Sequence, residues 1–161
     1  MSQHLPALMI IGPMLTAAVI MFIRNRWAAR ITATVVAWAT FAMAIVTLGQ
    51  AMQEPIQYIL GGWEPPKGIE YRIDAFSGLI LVLISGIASV VLPFGPGSAQ
   101  TRVNPDRMHL FYSAFLLTVS GLMGIAITGD LFNVFVFLEI SSIATYTLIA
   151  MGAGVAPILI P

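Results

Sequence analysis

Five long apolar runs, separated by short polar segments, dominate the chain: Leu5–Ile23, Ile31–Leu48, Ala75–Leu92, Met108–Ile127 and Leu131–Met151. A helix crosses a bilayer core of about 30 Å with about 20 apolar residues. In lipid only helices and closed barrels satisfy their own backbones, and these runs are too long and too unalternating for barrel strands. The pattern therefore predicts an all-α integral membrane protein with five transmembrane helices, residues 1–161 forming one membrane domain. The first run follows Met-Ser-Gln-His, with no basic residues ahead of it, and is long for a signal peptide, so it reads as an uncleaved span. Residues 152–161 are too few for a further crossing. The connections are Arg24–Arg30, a long loop over 49–74, a linker over 93–107 and a tight turn at Thr128–Asp130. Within the long loop, Ile56–Leu60 and Ile69–Ile73 are short and β-prone and flank a Gly/Pro-rich stretch, which predicts a small hairpin lying on the outer face.

Composition agrees with this and narrows the function. Of 161 residues, 58% are hydrophobic and 9% are charged, against roughly 25% charged in a soluble domain. Fourteen charges cannot cover a soluble globule of this size without leaving large apolar patches. A soluble enzyme is excluded. So is a nucleic-acid partner, because zero net charge supplies no basic face. The absence of cysteine excludes disulfides, thiolate zinc sites and iron–sulfur clusters.

The charges that remain set an orientation. Arg24, Arg26, Arg30, Arg102 and Arg107 fall on one side with a single acid, Asp106. Lys67 and Arg72 fall on the other with Glu54, Glu64, Glu70, Asp74 and Asp130. By the positive-inside rule the N-terminus is outside and the C-terminus cytoplasmic, as five crossings require, in a multi-pass protein of the inner (plasma) membrane. Trp27, Tyr58, Trp63 and Tyr71 lie near span ends, where interfacial aromatics belong.

One span carries a charge in its interior. Counting about 1.5 Å per residue from Leu131, Glu139 lies roughly 12 Å into the membrane, near the midplane. A carboxylate at that depth costs about 2.5–3.5 kcal/mol on insertion scales. Desolvation favours its neutral form unless a cation stands close by. A carboxyl group able to exist in both forms at membrane depth is what a proton relay needs, whereas a permanently neutral acid would only hydrogen-bond a neighbouring helix. Helical spacing places Phe132, Phe135, Glu139, Ser142 and Tyr146 on one stripe, with the two hydroxyls on the cytoplasmic side of the carboxyl. The turn at Thr128–Asp130 folds the last two helices into an antiparallel hairpin. Counting back from it sets Val119, Ser120 and Gly121 at the depth of Glu139, small enough for close helix contact or a water. Ser120, Ser142 and Tyr146 are thus candidate members of a proton path. Asp130 reads chiefly as an N-cap, with a role at the path's outer end as the alternative. His4 and His109 fall on opposite membrane faces and cannot share a metal or haem. No nucleophile–base set or phosphate-cradling glycine motif is present, so no cofactor and no enzymatic activity are expected. The sole lysine, Lys67, lies in the outer loop, so a cationic partner for Glu139 would come from another polypeptide.

Two stretches carry a family resemblance: Leu60-Gly-Gly-Trp-Glu-Pro-Pro-Lys-Gly-Ile-Glu-Tyr-Arg-Ile-Asp-Ala-Phe76 and Thr128-Gly-Asp-Leu-Phe-Asn-Val-Phe-Val-Phe-Leu-Glu-Ile-Ser-Ser-Ile-Ala-Thr-Tyr-Thr-Leu-Ile-Ala-Met-Gly152. They resemble the D-type subunit of the multisubunit Na⁺/H⁺ (Mrp-type) antiporters, which is homologous to the proton-pumping, antiporter-like subunits of respiratory complex I. The resemblance implies that Glu139 occupies the place of the family's fifth-helix glutamate, which pairs with a lysine on a later, broken helix. It also implies a larger architecture of inverted repeats, of which this chain resembles the N-terminal third. Residues 153–161 depart from the family pattern.

The expectation is a membrane subunit, or N-terminal portion of one, of a multisubunit cation/proton antiporter. Glu139 would relay protons beside a lysine from a partner membrane subunit, and H⁺ and Na⁺ or K⁺ would be the transported ions. The alternative is a non-conducting structural subunit, or a truncated remnant, of a complex I-like assembly.

Overall fold

The structure, a computed structural model, describes residues 4–23, 25–59, 69–94 and 103–153. Each apolar run is a helix long and apolar enough to cross a membrane. They are α1 (Leu5–Phe22), α2 (Arg26–Ala51), α3 (Ala75–Phe94), α4 (Met108–Ile127) and α5 (Leu131–Ala153). Strands β1 (Ile56–Ile59) and β2 (Glu70–Ile73) join α2 to α3, and a 3₁₀ turn, Pro105–Arg107, leads into α4.

Helix α2 is longer than its apolar run. It starts at Arg26 because the Asn25 side chain accepts hydrogen bonds from the Trp27 and Ala28 amides at 3.0 and 3.5 Å. Arginine can occupy such a first turn, its apolar stem lying along the helix while its head group reaches the interface. Along α2 the buried positions are Ala29, Ala33, Ala37, Thr40, Ala44, Thr47 and Ala51, one every three or four residues. That small-residue stripe lets α1 and α3 approach closely. Helix α3 is capped by Asp74, whose carboxylate accepts from the Ser77 amide at 2.7 Å. This hydrogen bond holds the Asp74 carboxyl below its usual range.

Helix α4 is the most buried of the five, and it contacts the other four. Two of its serines clamp α1 through interhelical hydrogen bonds: Ser113 donates to the Ala17 carbonyl at 2.7 Å and Ser120 to the Ile10 carbonyl at 2.8 Å. Helix α5 packs on α4 and is the least buried.

The strands pair antiparallel with Ile56 opposite Ile73 and Ile59 opposite Glu70; the turn between them lies outside the described residues. The hairpin is fastened on three sides. Tyr71 forms an isolated β-bridge with Thr128, and the Gly129 amide donates to the Glu70 carbonyl at 2.9 Å. The Tyr71 ring stacks on Tyr58 and meets Phe137 of α5, both with centroids 6.5 Å apart. Tyr58 in turn hydrogen-bonds His4, at the start of α1, with 3.0 Å between the hydroxyl and Nδ1. His4 is therefore part of the hairpin's seat.

Candidate proton-transfer site

The α4–α5 turn sets the geometry of the site. Asp130 accepts a hydrogen bond from the Phe132 amide at 3.2 Å, while its carbonyl receives the Val134 amide at 3.0 Å. It caps the start of α5 as the side-chain chemistry suggests. Asp130 and Glu139 are nine residues apart, or about 13 Å along the axis, so Asp130 does not touch the carboxyl.

From that turn α5 presents two opposed faces. Asn133, Phe137, Ser141 and Ala144 are buried. Close packing there requires glycine on α4: a Cβ at Gly121 would meet Ser141 Cβ at 2.8 Å and the Phe137 carbonyl oxygen at 2.9 Å, and one at Gly124 would collide with the Phe137 ring. The other face carries Glu139, which is exposed on this chain. Phe132, Phe135 and Tyr146 share that face, 74%, 67% and 70% exposed, with Ser142 half-buried beside them. Five side chains of the expected stripe thus lie on one helix face. Hydroxyls elsewhere on α5 are committed to its own carbonyls: Ser141 to Leu138, Thr145 to Ser141 and Thr147 to Ile143.

Ser120 stands apart from this group. Its side chain is 1% exposed and donates to Ile10 of α1, and its neighbour Gly121 faces the Phe137 and Ser141 side of α5, not the Glu139 side. Rotation about the helix axis, which counting residues back from the turn does not fix, sends Ser120 elsewhere. Lys67 lies outside the described residues. Among the described residues there is no cluster of three or more His, Asp or Glu side chains suited to a metal ion.

One polar residue escapes a reading of the sequence. Asn133 is 7% exposed, and its amide nitrogen has no hydrogen-bond partner among the described residues. A buried Asn six residues before the glutamate carries a signal only once the inner face of α5 is known.

No protein-family model matches the chain. It is 40% identical over 157 residues to NADH-quinone oxidoreductase subunit N of Desulforudis audaxviator, which covers 94% of this chain and 31% of that protein. It is 33% identical to the D-type subunit of a probable K(+)/H(+) antiporter of Rhizobium meliloti, covering 94% of this chain and 29% of that protein. Among solved structures, it superposes on a chain of the Mrp complex from a Dietzia species with a TM-score of 0.81 and 25% identity, over 91% of this chain and 27% of that one. A chain of the archaeal membrane-bound sulfane sulfur reductase gives a TM-score of 0.79 and 28% identity, over 88% of this chain and 29% of that one. The chain spans about three tenths of the length of the curated relatives it matches. Together with the five apolar helices, these relatives make it a multi-pass protein of the plasma membrane.

Proposed function

Because the chain is homologous to the antiporter-like membrane subunits of cation/proton antiporters and of NADH-quinone oxidoreductase, we propose that it is a subunit, or the N-terminal portion of one, in a multisubunit monovalent cation/proton antiporter. In this reading it has no enzymatic chemistry of its own, and Glu139 is its mid-membrane proton carrier. The observation that carries the reading is the direction of Glu139. The carboxyl stands on the least buried helix, on the face turned away from the other four. A bare carboxyl facing hydrocarbon is costly at that depth. The face would be satisfied by further helices of the assembly closing over it, and the relatives, of which this chain spans about three tenths, are long enough to carry such helices.

A lysine carried by that covering surface would complete the site. With its ammonium within about 4–6 Å of Glu139, that lysine would be the carboxyl's partner for lateral proton transfer. Ser142 and Tyr146, one and two turns along the same face, would connect Glu139 to the cytoplasmic side through waters. The N-terminus and the hairpin would then lie outside, with the arginine-rich end in the cytoplasm.

Replacing Glu139 with Gln keeps size and hydrogen bonding and removes the exchangeable carboxyl proton. Glu139→Gln is expected to abolish cation-driven proton movement in membrane vesicles while the complex still assembles at wild-type abundance. Full antiport in the variant would overturn the proton-carrier role and leave a structural subunit as the better reading.

A further inference from the structure

At the arginine-rich end, where α2 and α4 begin, a cavity of about 210 Å³ opens between α2, α4 and the segment at Val103 and Pro105 that leads into α4. Arg26 and Arg30 lie on its wall, with Trp27, Met108 and Tyr112. One turn apart, the two guanidinium groups belong to the same face of α2. Arg30 is held in place: it donates to the Pro93 carbonyl at 3.0 Å and lies 5.8 Å from the Trp27 ring centre in a cation–π contact. That carbonyl occupies only part of its five-donor fork. Arg26 is exposed, and an adjoining hollow that it shares with Trp27 is lined by Asn25, Asp106 and His109. Among the described residues, Asp106 is the one acid lining either hollow.

We propose that this cavity binds the phosphodiester headgroup of an acidic phospholipid, with Arg26 and Arg30 as its ligands. Paired planar guanidiniums, one of them preorganised, suit a phosphate oxygen pair better than they suit water or a point anion. Location selects the source of the phosphate. The cavity sits at the helix ends, at headgroup depth, beside a Trp27 that is 57% exposed, and its inner wall is apolar at Val103 and Met108. A basic pocket between helix ends at the membrane surface receives anionic lipid.

The test uses the full-length protein, with whatever subunits accompany it, in neutral detergent. Native mass spectrometry measures retention of phosphatidylglycerol and phosphatidylcholine, and inorganic phosphate is added as a competitor. Phosphatidylglycerol is expected to be retained preferentially, and less so at high salt. Arg26→Gln is expected to weaken its binding about fivefold and to leave phosphatidylcholine binding and thermal stability unchanged, since Arg26 is exposed and caps nothing. Equal retention of the two lipids, or an Arg26→Gln protein that binds phosphatidylglycerol normally, would overturn the proposal. Displacement of the lipid by millimolar inorganic phosphate would overturn the lipid assignment in favour of a small-anion site.

Discussion

A methyl group added at Gly121 would press on Ser141 Cβ and on the backbone of α5 at Phe137 and Ser141, neither of which can rotate aside. At Gly124 the obstacle is the Phe137 ring, the end of a side chain. The two glycines therefore predict different outcomes. Gly121→Ala is expected to destabilise the protein by about 1–3 kcal/mol, the usual effect of overpacking. Gly124→Ala is expected to cost little further stability when added to Phe137→Ala, which removes the obstructing ring, whereas no single side-chain change rescues Gly121→Ala. Thermal unfolding in detergent measures both. These residues also mark the limit of what the sequence discloses. A period of 3.6 is enough to collect Phe132, Phe135, Glu139, Ser142 and Tyr146 on one stripe. The tight turn is enough to bring α4 and α5 together. Which face of α5 meets α4 depends on rotation about the axis, and that is set by where Phe137 finds a glycine. The sequence reading groups Ser120 with Glu139, and the structure parts them, for this reason: the position of Ser120 along the axis is legible, but its direction follows from a carbonyl on α1, 110 residues away in sequence.

Among the elements, the hairpin shows the same division. β-prone residues on either side of a Gly/Pro-rich segment identify two strands, and two strands pair as read. Their attachment is a tertiary fact, made by a four-residue strand reaching the α4–α5 turn, and no local pattern announces it. Tyr71 is the residue at that junction, 4% exposed between Tyr58 and Phe137. Tyr71→Ala is expected to cost about 3 kcal/mol and to expose the amides of Glu70 and Gly129 to hydrogen exchange before the helices open. Burial, reinforced by the neighbouring Tyr58, raises the Tyr71 phenol above its ordinary value. A raised folded-state value means that neutral Tyr71 stabilises the fold fully below the unfolded value of about 10. That contribution is lost as pH rises through the higher folded value. Alkaline titration followed by phenolate absorbance and hydrogen exchange should show the hairpin loosening in step with a tyrosine that ionises above the ordinary range. Tyr71→Phe should remove that step.

At the scale of the whole molecule, the five helices bury one another unequally, and the inequality has a direction. Helix α4 is surrounded by the other four, while α5 turns Phe132, Phe135, Glu139, Ile143 and Tyr146 outward. Exposed aliphatic residues on α2 and α3, such as Val35 and Ile87, need only lipid, which is as apolar as they are. The α5 face is different because it carries a carboxyl, and lipid cannot hydrogen-bond it. If the relatives' additional length closes over this face, a nitroxide label at Phe135 or Ile143 will be accessible to membrane-dissolved oxygen in the isolated chain and shielded in the assembled complex. A label at Val35 provides the reference for lipid exposure on another helix. Shielding at Phe135 and Ile143 on assembly, without a matching change at Val35, is the expected result. Equal oxygen access at α5 before and after assembly would mean that Glu139 faces lipid in the working protein, and a proton carrier in that position would have no neighbour to pass its proton to.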